Sequence, residues 1–219
     1  TTSGRPARPE AAADIPSTEE ALSRLDMPLG EAMRTQRAIR KLHLDPVSHD
    51  VLLPLLELSL KAPTSSNTQD WSYLVVEDPE QKERLAKLYR PLFRAYDPIV
   101  SRMARGDAKA QRQMAPGRWQ AKHFAELPLF VIPCYRRGLK HRPVGRPQIA
   151  VSSFYGSVFP AVQNLLLECR AVGLGASIQT YSFLPAEPFI SCGTSTPQSR
   201  SRVIARGCNP PSSHDLHWP

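Results

Sequence analysis

Two short polar clusters hold the residue types that could do chemistry. The first is Arg37-Ala38-Ile39-Arg40-Lys41, three cations within five residues. Arginine makes bidentate, charge-assisted hydrogen bonds to phosphate oxygens, so this cluster could hold a phosphate group. Taken alone, it could equally complement the negative end of a helix macrodipole. The second is Ala62-Pro63-Thr64-Ser65-Ser66-Asn67-Thr68-Gln69-Asp70-Trp71. Hydroxyls, two carboxamides and backbone N–H groups crowd a proline-opened turn, which could offer donors and acceptors to a flat heterocycle. By itself such a stretch is an ordinary polar loop.

Other chemistries lack their residues. The six histidines show no HExxH pattern and no other metal-ligand spacing. Cys134 and Cys169 lie in apolar runs, Cys192 and Cys208 in a polar tail, and no pair has zinc or redox spacing. A reduced, cytoplasmic protein without a metal site is expected. No nucleophile triad and no paired carboxylates stand out.

The elements that must position the two clusters follow from apolar periodicity. Residues Thr1 to about Pro16 are Ala/Pro/Arg/Glu-rich and read as a disordered lead. Ser17-Thr18-Glu19-Glu20 has the capping-box form and predicts a short helix. A second helix is expected over Leu29 to Ile39. Ser48 or Asp50 opens an amphipathic helix with Val51, Leu52, Leu55, Leu56 and Leu58 as its apolar positions, and Pro63 stops it. Trp71 to Glu77 predicts a strand, Glu80 to about Tyr96 a helix, and Leu129 to Tyr135 a second strand. Asp97 to Glu126 is basic, proline-punctuated and matches no element. Ala150 to Val172 is apolar on most faces, which suits a central or subunit-interface helix. Gly173-Leu174-Gly175 ends it, and Ala176 to Tyr181 is expected as a third strand.

The chain of 219 residues carries a net charge of +8 and 22 prolines. Between Lys82 and Arg142 lie 15 Lys or Arg against four acids, so one segment holds the whole positive excess. A basic run is ordinarily a solvated face. It lacks aromatic interleaving and any recognisable nucleic-acid motif, so no nucleic-acid partner is expected. No stretch approaches the roughly 18 unbroken apolar residues of a membrane span. The first residues lack an apolar signal core, and the chain begins at Thr1 rather than Met, as expected of a fragment.

In order and spacing the clusters resemble the FMN-dependent nitroreductase family of NAD(P)H-dependent flavin oxidoreductases. The matching text is QRAIRKL at 36–42, APTSSNTQDWSYLVVED at 62–78 and FPAVQNLLLECRAVGLGASIQT at 159–180. Pro-x-Ser-x-Asn-x-Gln-x-Trp entering a strand is the most specific part. The resemblance covers roughly residues 29–181. It divides the chain into a disordered or loosely helical lead (1–28), a nitroreductase-like FMN-binding domain (29–181) and a divergent or degraded C-terminal tail (182–219).

The resemblance implies an α+β fold: a sheet flanked by helices, in a homodimer whose long central interface helix starts near Ala150. By position, Arg37, with Ala38 beside it, would bind the FMN phosphate, and Arg40 would approach the pyrimidine edge of the flavin. Pro63, Thr64, Ser65, Ser66, Asn67 and Gln69 would form the turn that contacts the flavin or its ribityl chain across the dimer interface. Ile178, Gln179 and Thr180 would offer backbone groups near the reactive N5 edge. NAD(P)H would give a hydride to FMN and be replaced by a small acceptor, such as a nitroaromatic or quinone, in a ping-pong cycle. The basic 82–142 segment would attract anionic NADPH or an anionic acceptor. Two other outcomes fit the same residues: a flavin-binding homodimer with lost or weak catalysis, and a relative running another flavin reaction such as dehalogenation or flavin fragmentation.

Gln36 and Ala38 stand where many such proteins have Arg and Ser. The tail, with six prolines and seven serines after Tyr181, lacks the expected basic ending. Only Arg202 to Gly207 could form a strand there. Genuine divergence and a reading-frame slip would both produce this text.

Overall fold

A computed structural model describes residues 16–69, 71–135, 147–179 and 202–206. Three antiparallel strands form a sheet in the order β2-β1-β3, with β1 Trp71–Val76, β2 Phe130–Tyr135 and β3 Arg202–Arg206. The β1–β2 register runs from Trp71 opposite Tyr135 to Val76 opposite Phe130. Pro133 lies in β2, which among the described residues pairs only with β1, the edge position at which a strand tolerates proline. β3 pairs with the other side of β1 through an irregularity between Tyr73 and Leu74. The third strand therefore comes from the tail and not from Ala176 to Tyr181. Residues 176–179 adopt no strand, and Thr180 and Tyr181 lie outside the described residues. Both sides of β1 are already taken.

Helices pack against this sheet. In α1 (Thr18–Ser23) the Ser17 hydroxyl accepts from Glu20 N–H at 3.2 Å, as the capping text predicts, while the Glu20 carboxylate accepts from Arg24. Ala21 is buried in the main core, so part of the 1–28 lead is packed. α2 (Leu29–Thr35) stops four residues short of Ile39, because Gln36 turns to an extended ψ of 134°. In α3 (His49–Ser59) Ser48 is the cap. Val51, Leu52, Leu55, Leu56 and Ser59 are buried, but Leu58 is 44 % exposed. At 100° per residue Leu58 falls just outside the arc that those five define.

α4 (Pro79–Met103) begins at an Asp78 cap and runs past the expected end near Tyr96. Its internal prolines, Pro91 and Pro98, are seven residues apart and exposed. The carbonyls that they cannot bond belong to Lys87 and Arg94, also exposed, so water can satisfy them. The unassigned basic stretch supplies α5 (Ala108–Lys122), capped by Asp107. α6 (Pro147–Val172) is the long apolar helix. Gly173, at φ +86°, ends it, with Leu174 N–H returning to Cys169 O at 2.7 Å.

Two apolar clusters result. One joins α1, α3, α6 and the Tyr73/Val75 face of β1. The other joins α4, α5 and β2 through a column of stacked rings, Phe130–Phe124–Tyr89–Phe93. Lys82, a member of the basic segment, is buried: its ammonium donates to Leu127 O at 2.7 Å, and burial lowers its pKa. No helix among the described residues is long and apolar enough to cross a membrane, and no group of His, Cys, Asp or Glu among them could hold a metal.

Candidate functional site

The first cluster begins where α2 ends. Arg37 folds its guanidinium back, donating from Nη1 to Arg34 O at 2.9 Å and Gln36 O at 2.6 Å. Helix-terminal carbonyls that would lack partners are thereby satisfied. Arg37, Ala38 and Ile39 are exposed and Arg40 is half-buried. The segment then lies along the chain that leaves α6: Ile39 N–H donates to Ala176 O at 3.0 Å. Gly175 makes this approach possible, since a Cβ there would meet Leu42 Cδ2 at 2.5 Å. The Arg37–Lys41 cluster and the segment that carries Ile178 and Gln179 are thus neighbours within one chain.

Between them lies a pocket of about 140 Å³, lined by Gln36, Arg37, Ile39, Leu166, Arg170 and Leu174 among others. No carboxylate lines it, and its two cations, Arg37 and Arg170, give it a positive rim. Arg40 reaches further, toward α4. Its charge opposes the effect of burial on Tyr89, whose phenol burial pushes up to about 12.

The 176–179 segment has a partner that sequence reasoning missed. Gln179 Nε2 donates to Gln120 Oε1 at 2.6 Å, and Gln120 Nε2 donates to Ser177 Oγ at 3.2 Å. Gln120 is 3 % exposed, on the buried side of α5. Nothing in the basic, proline-marked text around it signals this contact. Ile178 is exposed, Gln179 is half-buried, and Thr180 lies outside the described residues.

The second cluster folds as a strained turn. Ser66, Asn67 and Gln69 all have positive φ, 53°, 50° and 50°. Left-handed backbone costs a non-glycine residue roughly 1–2 kcal/mol, so three in four residues must be held by their surroundings. Hydrogen bonds within the turn hold them, among them Gln69 N–H to Thr64 Oγ1 at 3.1 Å and Asn67 N–H to Thr64 O at 3.0 Å, and Ser65 N–H ties the turn to Ser157 Oγ at 3.0 Å. Ser157, 1 % exposed, is a second missed residue. Its signal was a hydroxyl in an otherwise apolar helical stretch. Thr68 Oγ1 and Gln69 Oε1 are buried with no hydrogen-bond partner among the described residues. Pro63 is exposed at the opening of the turn.

The second cluster is not brought to the other two within the chain. It sits at Ser157, whereas the Arg37 pocket sits at Leu166 and Arg170 of the same helix. Thirteen residues at 1.5 Å each separate Ser157 from Arg170 by roughly 20 Å along the axis.

Sheet, flanking helices and long central helix define an α+β protein of nitroreductase-like fold. Residues 33–189 match the model of the Nitroreductase family, and the chain belongs to that family. It is 27 % identical over 75 residues to an iodotyrosine deiodinase of Nematostella vectensis, covering 34 % of this chain and 28 % of that protein. It is 41 % identical over 61 residues to the putative NAD(P)H nitroreductase YdgI of Bacillus subtilis (strain 168), covering 26 % and 28 %. These matches span little more than a quarter of either relative. In shape it is similar to a crystal structure of oxidized iodotyrosine deiodinase bound to FMN and 3-iodo-L-tyrosine, with TM-score 0.51 and 21 % identity over 70 % of this chain and 74 % of that one. That last likeness is one of fold.

Proposed function

We propose that the chain is an FMN-dependent oxidoreductase that draws electrons from NAD(P)H and passes them to a small organic acceptor such as a nitroaromatic or quinone. The reading is carried by one juxtaposition: the Arg37–Arg40 segment hydrogen-bonded to the 176–179 segment beside a positive, carboxylate-free pocket. Family membership supports the reaction class. The relatives' printed names, an NAD(P)H nitroreductase and an FMN-bound deiodinase, support the cofactor.

The residues fit the group. Unused hydrogen-bond capacity at Thr68 Oγ1 and Gln69 Oε1 suits a ring whose edge carries both N–H and carbonyl groups. Bound FMN supplies two-electron transfer between the dinucleotide and the acceptor. Arg37 holds the phosphate monoester, trading its bonds to Arg34 O and Gln36 O for charge-assisted ones. Arg40 sets a positive field at the pyrimidine end, which favours the reduced, more anionic ring. Gln120 fixes the 177–179 backbone so that its N–H groups stay aimed.

The roughly 20 Å between the two halves of the site supports a homodimer in which one protomer's Ser65–Gln69 turn completes its partner's Arg37 pocket. Tyr155 and Phe159 support it too, since they are stacked at 5.4 Å yet 49 % and 47 % exposed on the helix expected to form the interface. A cytoplasmic location accords with the free thiol of Cys169. Reductive dehalogenation is the second reading, favoured by the deiodinase match, and halide release from a halotyrosine separates it from nitro or quinone reduction.

The test is the absorption spectrum of the purified protein. Oxidised-flavin bands that bleach anaerobically with NAD(P)H and return on adding acceptor are the expected result. A protein that stays colourless after incubation with FMN overturns the reading.

A further inference from the structure

The +8 excess gathers in one place in the fold. A groove of about 380 Å³ between α4 and α5 is lined by Arg90, Phe93, Arg94, Arg118, Ala121 and Lys122. Arg90 and Arg94 stand at i and i+4 on α4, and Arg118 and Lys122 at i and i+4 on α5, so each pair lies on one helix face. No carboxylate lines the groove.

The four cations are not equivalent. Arg118 is anchored from behind, with Nε donating to Asp97 Oδ1 and Oδ2 at 3.0 and 3.1 Å and Nη2 to Ser101 Oγ at 2.7 Å. Arg90 is anchored to Glu83 at 3.0 Å. Arg94 and Lys122 are exposed and make no hydrogen bond or ion pair among the described residues. Among the described residues the groove therefore carries two uncompensated positive charges beside two held guanidinium groups. Their mutual repulsion is relieved when an anion enters.

The floor points to the rest of the ligand. Phe93 ends the ring column Phe130–Phe124–Tyr89–Phe93, stacked on Tyr89 at 5.9 Å, and its half-buried outer side lines the groove with Ala121. An aromatic ring under a set of phosphate-binding cations is the chemistry that recognises a nucleotide: a base stacks while the phosphate pairs. The two helices that form the groove also interact with the candidate site. Gln120, next to Ala121 on α5, bonds Gln179 and Ser177, and Tyr89 on α4 lies within the electrostatic reach of Arg40.

We propose that the α4–α5 groove binds an adenine nucleotide through a phosphate monoester, namely the 2′-phosphate end of NADPH, and so selects NADPH over NADH. This rests on the oxidoreductase reading for its source of nucleotide. The phosphate meets Arg94 and Lys122, with Arg118 and Arg90 behind them, and the adenine lies against Phe93. An ordinary solvated basic face would favour the more anionic NADP⁺ only weakly and would lose that preference as salt rises.

The test is calorimetric titration of the full-length, flavin-loaded protein with NADP⁺ and NAD⁺, which differ only in that phosphate. The wild type is expected to bind NADP⁺ at least about tenfold more tightly, as two charge-assisted contacts imply. Arg94→Ala/Lys122→Ala is expected to erase the difference while NAD⁺ affinity changes less than twofold. Adenosine 2′,5′-bisphosphate should displace NADP⁺ from the wild type only. Both side chains are exposed and unpaired, and an unchanged thermal midpoint confirms that the double variant is folded. Equal affinities in the wild type, an undiminished preference in the variant, or an equal loss for both dinucleotides each overturns the proposal. These titrations read binding alone, so their failure is separate from a failure of the flavin to bleach.

Discussion

The carboxamides of Gln179 and Gln120 meet at 2.6 Å, joining the segment after α6 to the buried side of α5. The two residues lie 59 positions apart, and Gln120 answers a second polar group of the same segment, the Ser177 hydroxyl. A buried amide that satisfies two partners fixes a backbone more firmly than packing alone. α5 is therefore the back wall of the candidate flavin edge, although its own sequence carries no cofactor motif.

Gln120→Leu keeps the volume and removes both bonds, leaving Gln179 and Ser177 with unmet hydrogen-bonding groups. A loss of about 1–3 kcal/mol in stability is expected, read from urea denaturation. Affinity for FMN and for riboflavin should fall by the same factor, because the displaced segment faces the ring system common to both. Arg37→Ala gives the contrasting pattern. Its guanidinium borders the pocket proposed for the phosphate, so FMN affinity is expected to fall by about tenfold or more while riboflavin affinity holds, as loss of a charge-assisted phosphate contact requires. Fluorescence titration of both flavins against both variants checks the pair. If Arg37→Ala weakens riboflavin as much as FMN, the phosphate assignment is wrong.

The left-handed turn makes a prediction of two opposite signs. Ser66 has φ 53° and ψ 26°, where its Cβ is strained and glycine is not. Ser66→Gly should raise thermal stability by roughly 0.5–1 kcal/mol, the relief of strain being partly offset by a more flexible unfolded chain. It should also weaken FMN binding several-fold, because the turn no longer holds its donors in place before the ligand arrives. Differential scanning calorimetry with and without FMN reads both quantities. A variant that loses stability would mean that the turn is not strained at Ser66.

How much of this was legible in the sequence differs by element, for physical reasons. Local signals survived well: the Ser17 and Ser48 caps, the α3 stripe, both early strands and the Gly173 stop all depend on neighbours within four residues or on simple alternation. The end of α2 did not, since Arg37 and the bond from Ile39 to Ala176 pull the chain out of helix at Gln36, and 137 residues separate those two partners. α5 was invisible because Pro116 and weak apolar periodicity mask it, while its buried residues include the polar Gln120. Ala176 to Tyr181 has strand-like composition, but the second side of β1 is paired by β3 instead. The motif residues Arg37, Arg40 and Ser65 to Gln69 could be singled out by type. Ser157, which holds Ser65, and Gln120, which holds Ser177 and Gln179, could not be tied to these partners, because those contacts exist only after folding.

Glu168 supplies a prediction in pH. It lies on α6 at 8 % exposure, its Oε2 has no hydrogen-bond partner among the described residues, and burial pushes its pKa up to about 7. A carboxyl raised in the folded state binds its proton more tightly there than in the unfolded chain. Stability therefore falls as pH rises from about 4.5, the ordinary value, to about 7, and the whole deficit persists above that. Its size is on the order of 3 kcal/mol at alkaline pH. The buried ionisable neighbours Tyr73 and Cys169 are both pushed up to about 12, so neither titrates in this window. Glu168→Gln keeps the shape of the neutral acid at every pH. Urea midpoints of the two proteins should nearly coincide near pH 4.5 and separate by pH 8, with the glutamine variant the more stable. A constant gap across that range would show that Glu168 does not change its protonation on unfolding.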